Sequence, residues 1–220
     1  MYKDCFIFQK NFTALMIYPK KNSFIKWFFD GYINHIVKMN FFSIDFNQID
    51  IDSGRSILLL ANHYSWWDGF ILYTLNKRLF NKKFHIMILE EVAHKVSFFK
   101  FLGAFSIKKE SRDMVASLNY AASLLNDPGN LVLIFPQGNI YSNFVEKVKF
   151  EKGSYKIMIK ATAKFSLVYA ACFTENFQNK KPSLNIHLIL HKQVTGMQNL
   201  EESYQDFYQH ARAKQTAKII

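Results

Sequence analysis

The run Ile57-Leu58-Leu59-Leu60-Ala61 is apolar at every position and stops abruptly at Asn62-His63. Five residues are too few for a helix, and the lack of polar alternation leaves neither face for water. Such a run is stable as a strand covered on both sides, the condition met in a parallel sheet with helices on each face. Further β-rich runs occur at Phe84–Leu89, Ala104–Ile107, Leu131–Phe135 and Leu167–Phe173. Helical stretches are expected between them over Trp67–Leu79, Glu91–Lys100 and Lys152–Lys164. Ser111 is expected to cap another helix, with Val115, Leu118, Ala122 and Leu125 on one face and Asp127-Pro128-Gly129 at its end. The pattern predicts an α/β fold with a mostly parallel central sheet flanked by helices. Ser183–Leu190 reads as an edge strand, and Asn199 as the cap of a polar C-terminal helix.

Ahead of the first strand, Ser23 to about Met39 has the spacing of an amphipathic helix, with Ser23 as its cap. Ile25, Phe28, Phe29, Tyr32, Ile33 and Ile36 share one face, and Lys26, Asp30, Asn34 and Lys38 another. Two roles fit it equally: packing on its own domain, or lying in a membrane interface with Trp27 in the headgroup layer. The chain divides on this reading into an N-terminal amphipathic, membrane-surface segment over 1–40 and a single domain over 41–220.

The net charge of +11 favours an anionic partner, whether nucleic acid, an anionic bilayer or an acidic carrier. No recognition motif for nucleic acid accompanies it, so none is expected as a partner. Cys5 and Cys172 are far apart and carry no metal or redox spacing, which fits a reducing, cytosolic setting. No signal peptide is expected, and no apolar run approaches the ~20 residues of a spanning helix. Any membrane contact is therefore expected to be peripheral. His187 and His191 have no third ligand nearby in the sequence, and no metal is assigned.

Three features follow the ends of strands that the pattern makes parallel: His63, Lys108-Lys109, and Pro136-Gln137-Gly138. They are expected on one rim of the sheet, where α/β proteins bind their ligands. His63 with Asp68 can be a base and the carboxylate that orients it, or a satisfied polar pair at a helix entrance. Gly138 can let backbone amides approach a ligand. Lys108 and Lys109 are either solvated or a pair of point charges for a phosphate. Trp66 and Trp67 either line an acyl pocket or pack into the core. No G-x-S-x-G elbow is present, and neither cysteine has a basic setting, so no protein nucleophile is implied.

Taken together these blocks resemble the lysophospholipid acyltransferase family, of the 1-acylglycerol-3-phosphate acyltransferase type. The family's N-H-x-x-x-x-D block is similar to Asn62-His63-Tyr64-Ser65-Trp66-Trp67-Asp68. Its second block resembles Gly103-Ala104-Phe105-Ser106-Ile107-Lys108-Lys109. Its third, F-P-E-G-T-R, resembles Phe135-Pro136-Gln137-Gly138-Asn139-Ile140, with Lys152-Gly153 following. The resemblance runs over about Asn40 to Phe173 and implies a glycerolipid acyltransferase-like fold.

It also implies acyl transfer from acyl-CoA or acyl-carrier protein to a lyso-lipid hydroxyl at the cytoplasmic face of the cell membrane. His63 would be the general base, with Asp68 orienting it. Lys109 and Lys108 would hold an acceptor phosphate, and Gln137, Gly138 and Asn139 would help to place the head group. The thioester is a co-substrate, and no cofactor is implied. Three positions depart from the family pattern. Gln137 replaces a glutamate, Asn139 a threonine, and Ile140 an arginine that would fork onto a phosphate. A later strand also lacks its two prolines around Leu167-Val168. A non-phosphate acceptor, such as an amino-acid-containing lyso-lipid or a glycolipid, is therefore an alternative. A catalytically idle lipid-binding protein of the same fold is another.

Overall fold

The computed structural model describes residues 16–108, 113–191 and 196–219. Cys5 and the expected cap Ser111 lie outside them. Among the described residues, seven strands form one sheet, with six α-helices around it: β1 (Ser43–Phe46), β2 (Ser56–Ala61), β3 (Lys83–Leu89), β4 (Ala104–Ile107), β5 (Asn130–Ile134), β6 (Phe165–Glu175) and β7 (Ser183–His191). The helices are α1 (Ser23–Asn40), α2 (Asp68–Leu75), α3 (Glu90–Lys95), α4 (Asp113–Leu124), α5 (Gly153–Lys160) and α6 (Met197–Thr216). The strand order is β1-β7-β6-β2-β5-β3-β4, and only the β6–β7 pair is antiparallel. The fold is α/β with a mostly parallel sheet flanked by helices, as the apolar run of β2 requires.

β2 lies between β5 and β6 and is buried at every position. Ile57, Leu59 and Ala61 belong to the apolar layer that includes Ile33 and Val37 of α1 and Ile71, Leu72 and Leu75 of α2. Leu58 and Leu60 belong to the opposite layer, with Leu118 and Ala122 of α4, Ile157 of α5 and Tyr204 and Tyr208 of α6. One strand thus joins two cores, because successive side chains leave a strand in opposite directions.

Several local expectations are corrected. Asn22, not Ser23, caps α1; its Oδ1 accepts the Ile25 N–H at 3.0 Å. Ser23 is instead the first helical residue. The helix after His63 ends at Leu75 and continues as a π-helical turn over Asn76–Phe80, stopped by Asn81 with φ 50°. Asn76 fixes that stop by pairing both ends of its side-chain amide with Lys82 backbone groups. The stretch Glu91–Lys100 is two pieces, α3 and a 3₁₀ turn over Ser97–Leu102, broken at Val96.

Leu118, Ala122 and Leu125 of the expected face are buried, but Val115 is exposed, and Ser117 and Ala121 are buried in its stead. The helix expected over Lys152–Lys164 ends at Lys160, because Ala161 is already extended. β7 is not an edge strand. β1, which the sequence reading passed over, pairs outside it in parallel register from Ser43↔Ser183 to Phe46↔Ile186. Gly196 rather than Asn199 stands at the N-cap of α6, with φ 93°. That helix is polar only on one side: Leu200, Tyr204, Tyr208 and Ala211 are buried.

Gly103 fixes the entry to β4. Its φ is +92°, and a Cβ there would fall 1.9 Å from the Phe84 carbonyl oxygen. A Gly103→Ala change therefore has no relaxed solution, since backbone and not a side-chain tip is in the way. It is expected to lower stability by about 2–3 kcal/mol, read as a shift of the urea midpoint without a change in slope.

Candidate active site

β2 ends by a side-chain continuation of its own ladder. The last paired residue is Ala61, opposite Ala170 of β6. Asn62 then bridges to β6 with its side chain: its Nδ2 donates to the Cys172 carbonyl at 2.9 Å, and its Oδ1 accepts the Cys172 N–H at 2.7 Å. Both groups are buried, so the amide stands in for a strand residue while the chain itself turns away. This frees His63 to enter a turn above the sheet.

The turn closes on Asp68, the first residue of α2. Its Oδ2 accepts the His63 ring Nδ1 at 2.8 Å, the Tyr64 N–H at 2.8 Å and the Ser65 N–H at 2.9 Å. An acid in the first turn of a helix is also favoured by the partial positive charge there. Burial pushes the Asp68 carboxyl up, and the hydrogen bonds from His63, Ser65 and Tyr64 push it back toward the ionised form. A proton on Nδ1 donated to that carboxylate leaves Nε2 as the imidazole's lone-pair nitrogen.

The rest of His63 is held as firmly. Its ring stacks on Phe135, with centroids 4.1 Å apart and planes 12° from parallel. Its backbone N–H donates to Gln137 Oε1 at 2.7 Å, and its carbonyl accepts the Tyr141 N–H at 2.9 Å. Phe135, Gln137 and Tyr141 all belong to the segment that leaves β5, the strand beside β2. The two chain segments that the sequence reading set on one rim are thus bonded to each other through the histidine.

The remaining expected residues are placed as follows. Gln137 is buried and turns inward to the His63 N–H. Gly138 has φ 67°, and its N–H is taken up by the Phe135 carbonyl at 3.1 Å. Asn139 is exposed at the rim. Lys108 follows β4 on the same rim, but β3 lies between β4 and β5, and its Nζ is 3.9 Å from Glu90 Oε2. Lys109 lies outside the described residues. Trp67 is partly buried against Phe41 and Phe70, while Trp66 is 60 % exposed beside it. Trp27, 70 % exposed on α1, is not part of this cluster. The contributions of Asn62, Phe135 and the Tyr141 amide were not anticipated. An amide residue directly after a buried strand was the available signal for the first.

Cys172 is fully buried, and burial raises its thiol well above the usual range. The Ser65 hydroxyl accepts the Trp67 N–H at 3.2 Å. The arrangement is a partly exposed imidazole bonded to a buried carboxyl group on the carboxyl rim of a parallel sheet.

A family model described as Acyltransferase matches residues 44–172, more than half of the chain. The chain belongs to the Acyltransferase family. None of the curated proteins matches it. The match takes in β1 to the middle of β6, and with them His63, Asp68, Lys108, Gln137 and Gly138. The enzyme is an acyltransferase whose family domain ends at Cys172, the residue that Asn62 holds.

The bridge from Asn62 makes a stability prediction for this acyltransferase. An Asn62→Ala change leaves the Cys172 N–H and C=O buried without their partner. A loss of about 2–6 kcal/mol is expected, at ~1–3 kcal/mol for each of the two orphaned groups. Chemical unfolding monitored by circular dichroism checks it, and an unchanged midpoint would count against the bridge.

Proposed function

We propose that the acyltransferase moves a fatty acyl group from a thioester, acyl-CoA or acyl-carrier protein, to the hydroxyl of a lyso-lipid, with His63 as general base. The observation that carries this reading is the His63–Asp68 pair, 2.8 Å apart on the rim between β2 and β5 inside the matched family domain. The acceptor hydroxyl gives its proton to Nε2 as its oxygen attacks the thioester carbonyl. Asp68 stabilises the imidazolium that forms. The tetrahedral intermediate then collapses with cleavage of the C–S bond, and the leaving sulfur takes the proton back from His63. The products are an ester and a free thiol, and no covalent enzyme intermediate is needed.

In this scheme Asp68, Phe135 and Gln137 position the base. Holding the ring by its face, its Nδ1 and its backbone reduces the entropy lost on reaching the reactive geometry. Lys108 and Lys109 are the proposed contacts for an acceptor phosphate, with Gly138 and Asn139 near the head group. A lysophospholipid such as lysophosphatidic acid is the default acceptor. A second reading, an acceptor without phosphate, is favoured by Ile140, which stands exposed and apolar where the resembled block carries an arginine.

The protein is proposed to work as a peripheral enzyme on an anionic membrane surface at the cytoplasmic face. No helix among the described residues is long and apolar enough to cross a membrane. α1 supports an interfacial role: Ile33 and Val37 anchor it to the core, while Phe24, Trp27 and Phe28 stay exposed beside Lys26. The segment 1–40 is thus proposed as the membrane-surface appendage of the domain over 41–220.

Incubation with radiolabelled acyl-CoA or acyl-carrier protein and a panel of lyso-lipids tests the reading. His63→Ala is expected to lower diacyl product formation by ~10²–10⁴-fold with vesicle binding retained. Unchanged turnover in that variant would overturn the assignment of the base. No product from any acceptor would instead favour an idle lipid-binding protein. Preference for phosphate-free acceptors would select the second reading.

A further inference from the structure

The segment between β5 and α5 buries Val148 and Phe150 but turns Ile140, Tyr141 and Phe144 outward. Phe144 is 80 % exposed, among the most exposed large apolar side chains described. Its backbone is anything but loose. The Tyr141 N–H donates to the His63 carbonyl, and Asn143 Nδ2 to the Thr174 carbonyl at 3.4 Å. The Tyr208 hydroxyl donates to the Val145 carbonyl at 3.1 Å, and Gln205 Nε2 to the Glu146 carbonyl at 2.8 Å. A loop fixed at so many points and still presenting three apolar side chains to water offers a built surface rather than a frayed one.

The topology brings more apolar residues to the same rim. Because β6 and β7 are antiparallel, their connection emerges on the carboxyl side of the parallel strands, past Glu175, which lies five residues beyond Ala170, the last β6 residue paired with β2. Phe177 lies in that connection, exposed, with Lys180 and Lys181 after it. Phe42, exposed just before β1, is tied to the connection by its N–H bond to the Pro182 carbonyl at 2.8 Å. Trp66 completes the set beside His63. The exposed rings of α1 lie elsewhere. α2 starts at the rim and runs away from it, and α1 returns alongside, with Phe41 against Trp67 and Asp30 paired with Lys77 at 2.7 Å. Trp27 is 13 residues before Asn40, the end of α1, and so roughly 20 Å further from the rim along the helix.

We propose that this rim is a second lipid-contacting surface, in which Ile140 and Phe144 enter the interface of an anionic bilayer around His63. The proposal rests on the lipid-acceptor reading above, and it adds a surface to that of α1. Charge complementarity supports a bilayer as the occupant: Lys180 and Lys181 border the apolar residues, and the chain carries a net charge of +11. The geometry also removes a difficulty of the chemistry. An acyl chain that leaves a bilayer through water must expose its methylenes, each worth ~0.8 kcal/mol. A rim seated in the interface lets the chain reach His63 without that exposure.

The test uses the full chain with Cys5→Ser and Phe144→Cys, labelled at position 144 with an environment-sensitive fluorophore; Cys172 is buried. On addition of vesicles of equal parts phosphatidylglycerol and phosphatidylcholine, the probe is expected to brighten and shift to the blue. In unlabelled protein, Ile140→Ser with Phe144→Ser is expected to lower partitioning onto those vesicles by about tenfold or more. A probe that stays in water, with partitioning unchanged in the double variant, overturns the proposal. So does a lipid-free dimer, seen by sedimentation velocity, that the same double variant dissolves, since the rim would then cover a second copy. Neither readout needs turnover. An idle site or a wrong acceptor leaves them unaffected, and a failed rim leaves acyl transfer standing.

Discussion

Asp68 is a carboxyl group with about 1 % of its side chain open to water, and the site is arranged around that fact. Desolvation alone would neutralise it, so the charged form exists only with compensating donors. One oxygen collects three N–H groups, from the His63 ring and from two consecutive backbone amides. The other oxygen is buried without a partner. This imbalance concentrates the interaction on Oδ2 and makes the imidazole one of the three groups that draw the carboxyl back toward the ionised form against its burial. Orientation of the ring and stability of the turn are therefore one property.

That arrangement depends on the sheet in a specific way. The turn has room to close because β2 ends at the same level as β5, while β6 runs on to Glu175, and because Asn62 satisfies the backbone of Cys172 after the main chain has left. The segment after β5 then reaches back across the gap, giving His63 a stacking partner, an acceptor and a donor. Parallel strands are what bring these two exits side by side. A hairpin would have sent them to opposite ends of the sheet.

The antiparallel pair β6–β7 does something different. It reverses direction on the same side of the sheet, past the exits of β2 and β5, in a turn with an exposed phenylalanine and two lysines. β1 pairs outside β7 and brings Phe42 to the same place. The His63–Asp68 pair thus belongs to the parallel part of the sheet, and the exposed apolar residues on that side are shared with the part that runs the other way. Two layers of core, one under α1 and α2 and one under α4 to α6, hold these parts in a single body.

Much of this was legible in the chain itself. An all-apolar run needs cover on both faces, and that alone specified β2 as an interior parallel strand with a histidine at its end. The five-residue step from His63 to Asp68 fits a turn entering a helix, and the structure has that turn. Other features were not local. The four residues of β1 carry too weak an alternation to be read, and only pairing with β7 makes them a strand. Val115 fits the face of Leu118, Ala122 and Leu125 by spacing, yet packing leaves it exposed and buries Ser117 and Ala121 instead. Gln137 is polar and follows a strand, so the sequence offers it to a ligand. The left-handed turn at Gly138 and the nearness of His63 send it inward instead. The order of strands and helices and the pairing of His63 with Asp68 follow from patterns shorter than one element. The direction of each side chain beyond a strand end depends on backbone turns and neighbours from distant segments, and those only the tertiary structure decides.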